Sequence, residues 1–150
     1  MTDQPTATPA AETQLPRGRT AALTPRETDR LFGQGVALFN GARYWHAHEA
    51  WEAIWRAAPE EERDFYQGLI QVAAGLIHLE RRNARGATNK LGEGLARLRP
   101  YIPKHRGIVV SELVGTVGGI LADLRAGEIP YLIPPTIKEA ELDEQLHLDQ

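Results

Sequence analysis

A chain of 150 residues, 42% hydrophobic and 25% charged, is long enough for one packed domain, and its net charge of −3 builds no field that would recruit nucleic acid or anionic membrane. It contains no cysteine, which excludes disulfides, CxxC redox chemistry, thiolate zinc sites and cysteine nucleophiles, and fits a reducing cytoplasm. No apolar run is long enough to span a bilayer.

Met1 to Thr20 has no basic start followed by an apolar stretch and does not read as a secretory signal. Its Thr, Pro, Ala and Gln cannot offset the entropy of ordering, so residues 1–22 are expected to form a disordered tail. Thr24-Pro25-Arg26-Glu27 is a helix start: Thr24 caps, Pro25 suits the first helical position, and Glu27 completes a capping box. Leu31, Phe32, Val36 and Phe39 follow at helical spacing, and Asn40-Gly41 stops the helix, with Gly41 taking the left-handed conformation.

A second helix is predicted from about Arg43 to Ala58 and a third from Pro59 to Arg82. The first turn of the third is acidic (Glu60, Glu61, Glu62), which complements the helix dipole. Phe65, Leu69, Val72, Leu76 and Leu79 make one apolar face, while Ile70, Ala73 and Ile77 fill its flanks, as expected of a central helix. Gln67, Gln71, Ala74 and His78 share a separate stripe.

The connection from Arg81 to Gly86 leads into a fourth helix aligned on Ala87, Leu91, Leu95 and Leu98 and ended by Pro100. A loop through Pro103 and Gly107 precedes a fifth helix from near Ser111, with Leu113, Val117, Ile120, Leu121 and Leu124 in one stripe. Its other side carries Gly115, Gly118, Gly119 and Ala122. Either another helix backbone approaches there or the helix is locally weak. Beyond Gly127, prolines forbid helix; Tyr131, Leu132 and Ile133 are expected to pack as an extended arm, and Lys138 to Gln150 to form a loose acidic helix. No segment shows strand periodicity.

The chemistry-bearing residues concentrate in His46-Ala47-His48-Glu49-Ala50-Trp51-Glu52-Ala53-Ile54-Trp55. On a helix, His48, Glu52 and Trp55 share a face with Glu49 at its edge, while Trp51 and Ile54 point into the core. Antiparallel packing of helices two and three would bring His48 and Glu52 against Gln67, Gln71 and His78, as a buried hydrogen-bond network or a small polar site. Two imidazoles and one or two carboxylates have the donor types of a zinc, iron or manganese site.

Sharper motifs fail. The His48–Glu52 stretch reads HExxE rather than HExxH, and paired Glu-x-x-His, GxSxG and GxxxxGK[ST] are absent. His46 and His48 point about 200° apart on a helix and cannot share an ion. His105 and His147 read as solvated loop residues, and Arg81, Arg82, Arg85 and Lys90 form the basic cluster, where helix amides near Gly86 could meet a phosphate.

Phe39-Asn40-Gly41-x-x-Tyr44-x-x-Ala47-His48-Glu49-x-x-Glu52-x-x-Trp55, then Phe65-x-Gln67-Gly68-Leu69-Ile70-Gln71-x-Ala73-Ala74, then His78 and Gly86-Ala87 resemble the domain-of-unknown-function 309 family, over roughly Leu31 to Leu98. The resemblance implies a compact all-helical fold and no established activity. The family pattern falls on His48, Glu49, Glu52, Trp55, Gln67, Gln71 and His78 and omits His46; where members often read Gly-Asn before the fourth helix, this chain has Arg82-Asn83.

The expected protein is an all-α bundle of about five helices over residues 23–127, with flexible N- and C-terminal extensions, the latter an extended arm and acidic tail over 128–150. The leading functional reading is a cytoplasmic structural or protein-interaction module with a buried His/Glu/Gln network and a protein partner or second copy, the glycine side of helix five being one candidate contact. No membrane contact is expected and nucleic acid is disfavoured, a third reading being phosphate or RNA contact through Arg81, Arg82 and Arg85. The alternative is a small metal-assisted or acid–base enzyme with a divalent metal. His48, Glu52 and His78 would be ligands or proton carriers, Glu49 the general base, and Gln67, Gln71 and Trp55 would contact a ligand.

Overall fold

The computed structural model describes residues 21–130 and 133–140. Residues 1–20 of the tail expected over 1–22, Tyr131 and Leu132 of the arm, His147 and most of the acidic tail lie outside the described residues. Five helices follow in chain order: α1 (Pro25–Asn40), α2 (Tyr44–Ala57), α3 (Glu60–Glu80), α4 (Ala84–Leu98) and α5 (Val110–Arg125). A two-stranded antiparallel hairpin, β1 (Lys104–His105) and β2 (Ile108–Val109), precedes α5. The sequence shows no strand periodicity there because two-residue strands are too short to carry one.

The start of α1 is the expected capping box. Glu27 N–H donates to the Thr24 hydroxyl at 3.1 Å and Thr24 N–H to the Glu27 carboxylate at 2.8 Å. These bonds hold the Glu27 carboxyl below its usual range. At the far end Gly41 stays at φ −90°; it is Ala42, at φ 61°, that takes the left-handed step. The reversal needs one such residue, and its place is set by the geometry of α2, which starts two residues later.

α3 is the axis of the bundle, flanked by α2 and α4, with α1 packed on α2 and α5 on α4. Its glycines admit α4: Gly68 O lies 2.9 Å from where a Cβ on Gly94 would stand, so the two backbones nearly touch. Leu91, Leu95 and Leu98 of α4 fill the remaining space with less than 2% exposure. On the other side Trp51 lies flat over Gly35 of α1, where any Cβ would collide with the indole. Phe39 (5.8 Å between ring centroids) packs beside that indole.

Core packing does not stop at Gly127. Ile137 is 3% exposed, and Asn40 clasps its backbone from α1, donating to its carbonyl at 2.9 Å and accepting from its N–H at 2.7 Å. Val109 N–H donates to Lys138 O and Ala140 N–H to Gly107 O, both at 2.8 Å, adding the segment to the hairpin edge. The arm is therefore anchored through Ile137, whereas Ile133, expected to pack, is 75% exposed. Lys138–Ala140 is extended rather than helical, because these pairings take its backbone groups.

The glycine side of α5 stands open. A Cβ on Gly115 or Gly119 would meet nothing within 4 Å, and on Gly118 only Leu95, at 4.0 Å. No helix of the described residues approaches there. No helix of the described residues is long and apolar enough to cross a membrane.

Candidate functional site

The helical periodicity of α2 puts Tyr44, Ala47, Trp51 and Ile54 in the core and turns His48, Glu49 and Glu52 outward. Trp45 is 55% exposed, and its ring stacks on the His48 imidazole at 5.4 Å with planes only 5° apart. On the other side of the imidazole, His48 Nε2 lies 3.9 Å from Glu52, whose second oxygen accepts from Arg56 at 2.9 Å. His48 Nδ1 is buried and makes no hydrogen bond among the described residues. His46 and Glu49 are exposed. Trp55, half-buried, is capped by the Arg63 guanidinium 4.0 Å from its ring centroid.

The α3 stripe makes its polar contacts elsewhere. Gln71, 7% exposed, is the one buried polar side chain among the described residues. Its amide donates to Glu93 at 3.3 Å and accepts from Arg97 Nε at 3.0 Å, both on α4. Arg97 continues to Asp64 at 2.6 Å, and Glu93 to Lys90 at 3.3 Å. Gln67, Ala74 and His78 of the same stripe are only part-buried.

His78 closes the α3–α4 turn. Asn83 caps α4 by accepting from Gly86 N–H at 3.0 Å, which leaves its amide nitrogen to donate to His78 Nδ1 at 3.1 Å. His78 Nδ1 therefore acts as an acceptor, and the proton of the neutral ring sits on Nε2. The Gly86 amide, one of those that could have met a phosphate, is taken by Asn83. Arg81, Arg82 and Arg85 are exposed.

The polar residues read from the sequence thus divide into three local arrangements: Trp45–His48–Glu52–Arg56, Gln71 with Glu93 and Arg97, and His78 with Asn83. The expected interior seam of α2 and α3 is replaced by a part-exposed face. The reason is packing: the core sides of α2 and α3 are taken by large buried apolar groups such as Trp51 and Leu69, so the polar stripes sit outside the core, and α4 offers Gln71 charged partners. Among the described residues no group of three or more His, Asp or Glu side chains could hold one metal ion.

One constellation was not legible in the sequence. The β1–β2 hairpin carries His105, at the end of β1 and bonded to Glu62 of α3 at 3.2 Å, and Arg106, in the turn and paired with Asp29 of α1 at 2.6 Å. The contributing elements are distant in the chain, and a His-Arg-Gly turn is not a motif; only the fold joins them.

Comparison with curated proteins finds no match. Residues 32–89 match the family described as Domain of unknown function (DUF309). The matched stretch holds α2, α3 and every polar residue of the α2 face, and it lies within the region where the sequence resembles that family.

Proposed function

We propose that the protein is a helical interaction module whose protein-contact surface is the outer face of α2. The observation that supports this reading is Trp45: a large aromatic, 55% exposed, held in one orientation by stacking on His48 and bordered by charged Glu49, Glu52 and Arg56. An exposed Trp with a pre-set rotamer loses little entropy on being covered, and such residues dominate protein interfaces within a polar rim. The core does not need this face, since Tyr44, Ala47, Trp51 and Ile54 supply the packing of α2.

A photo-crosslinking amino acid in place of Trp45, compared with one in place of Gly119 on α5, tests the surface in cells. A defined protein captured at position 45 and lost when His48→Ala is added supports the reading; equal capture at both positions refutes it. His48→Ala is expected to cost less than about 1 kcal/mol, because its 3.9 Å pair with Glu52 is part-exposed and Arg56 still pairs with Glu52. Loss of capture therefore reports contact rather than unfolding.

A further inference from the structure

A cleft of about 290 Å³ opens between the start of α1, the end of α2, the first turns of α3 and the β1–β2 turn. It is independent of the α2 outer face. Its volume lies at the lower end of small-molecule pockets. One wall is apolar, made by Leu23, Ile54, Ala57 and Pro59. The other presents Asp29, Glu62, Tyr66 and Arg106.

The polar wall is held rigidly and carries both signs of charge. Arg106 sits on a left-handed backbone at φ 47°, a conformation that costs a non-glycine residue free energy and recurs at ligand sites. Its guanidinium pairs with Asp29 and lies 5.6 Å from the centroid of Phe32, and its Nε is buried without a hydrogen bond among the described residues. Glu62 keeps one oxygen on His105, whose ring is wedged 4.6 Å from Phe65 and 4.7 Å from Tyr101. Tyr66 is 2% exposed; burial first, then the neighbouring carboxylates Glu62 and Asp29 against the opposing pull of Arg106, push its hydroxyl up to about 12, so it stays a neutral donor.

A lone acid on this wall would face Asp29 and Glu62; a lone amine would face Arg106. A head group with both charges satisfies both, its ammonium on Glu62 and its carboxylate on Arg106 and the Tyr66 hydroxyl, with an apolar body against Leu23 and Ile54. We propose that this cleft binds a small zwitterion with an apolar side chain, of the class of the branched or aromatic α-amino acids.

Calorimetric titration of the full chain with L-leucine, isopentylamine and isocaproic acid tests this, the last two being leucine without its carboxylate and without its amine. Leucine is expected to bind at least about tenfold more tightly than either half, as befits one extra charge-assisted bond. Arg106→Gln should remove the advantage over the amine, and Glu62→Gln, which still accepts from His105, the advantage over the acid. Near-UV circular dichroism identifies a variant that fails to fold; the Glu62→Gln result then stands alone. Half-molecules binding within a few-fold of leucine, or no leucine binding at millimolar concentration, overturn the proposal.

Discussion

Two glycine substitutions of opposite expected sign test the packing of this bundle. In an exposed helix, Gly→Ala stabilises by about 1 kcal/mol through chain entropy. At Gly119 of α5 a new Cβ meets nothing within 4 Å, so Gly119→Ala should raise stability by about that amount. At Gly94 of α4 the same Cβ would stand 2.9 Å from Gly68 O, 2.9 Å from Val72 Cγ2 and 3.0 Å from Val72 N, where ordinary contact begins at 3.4 Å. Two of these neighbours are backbone and cannot rotate away, so α3 and α4 must separate by several tenths of an ångström. That loosens the contacts of Leu91, Leu95 and Leu98, and overpacking of this kind costs about 1–3 kcal/mol. Against the roughly 1 kcal/mol of helix propensity, Gly94→Ala should come out destabilised by up to about 2 kcal/mol. Urea denaturation at constant slope measures both, and each 1 kcal/mol lost lowers the melting temperature by roughly 2–4 °C at this size. A Gly94→Ala protein stabilised by about 1 kcal/mol, as expected of Gly119→Ala, refutes the close α3–α4 contact. A destabilised Gly119→Ala protein shows that something covers the open side of α5, such as a second copy of the chain, and light scattering would then find a dimer.

Two other outcomes follow from single contacts. Asn40→Ala removes both hydrogen bonds to the Ile137 backbone and should cost about 1–3 kcal/mol, with faster tryptic cleavage after Lys138; unchanged cleavage refutes the clasp. Tyr66 is expected to give an alkaline limb of stability. Its folded value lies above its ordinary value of 10, so the native state holds the proton more tightly; the contribution is complete below pH 10 and lost as pH rises toward 12. The loss is on the order of 2 kcal/mol, and Tyr66→Phe should flatten the limb. A limb of equal size in the phenylalanine variant would show that another group, such as the buried Tyr44, whose hydroxyl burial also pushes up, is responsible.

The sequence by itself determined the helices and their inward faces. Thr24, Pro25 and Glu27 act within one turn, and the spacing of Phe65, Leu69, Val72 and Leu76 leaves one face to bury, so local chemistry and periodicity suffice. The pairing of His48 with Glu52 is also local, one helical turn apart. Partnerships between elements were not legible. Gln71 turned to α4 rather than α2 because Gly68 and Gly94 let the α3 and α4 backbones close to contact, which brings Arg97 and Glu93 within reach. The sequence suggested that Tyr131, Leu132 and Ile133 pack as an arm, but Ile133 is exposed and Ile137 packs, because Asn40, ninety-seven positions away, holds its backbone and Val109 of β2 holds the neighbouring Lys138. The cleft joins Asp29, Glu62, Tyr66 and Arg106 from three separate elements. Periodicity tells a residue which side of its own helix it occupies; only the closeness of backbone packing decides which other element stands opposite, and that depends on side-chain volumes summed over the whole core.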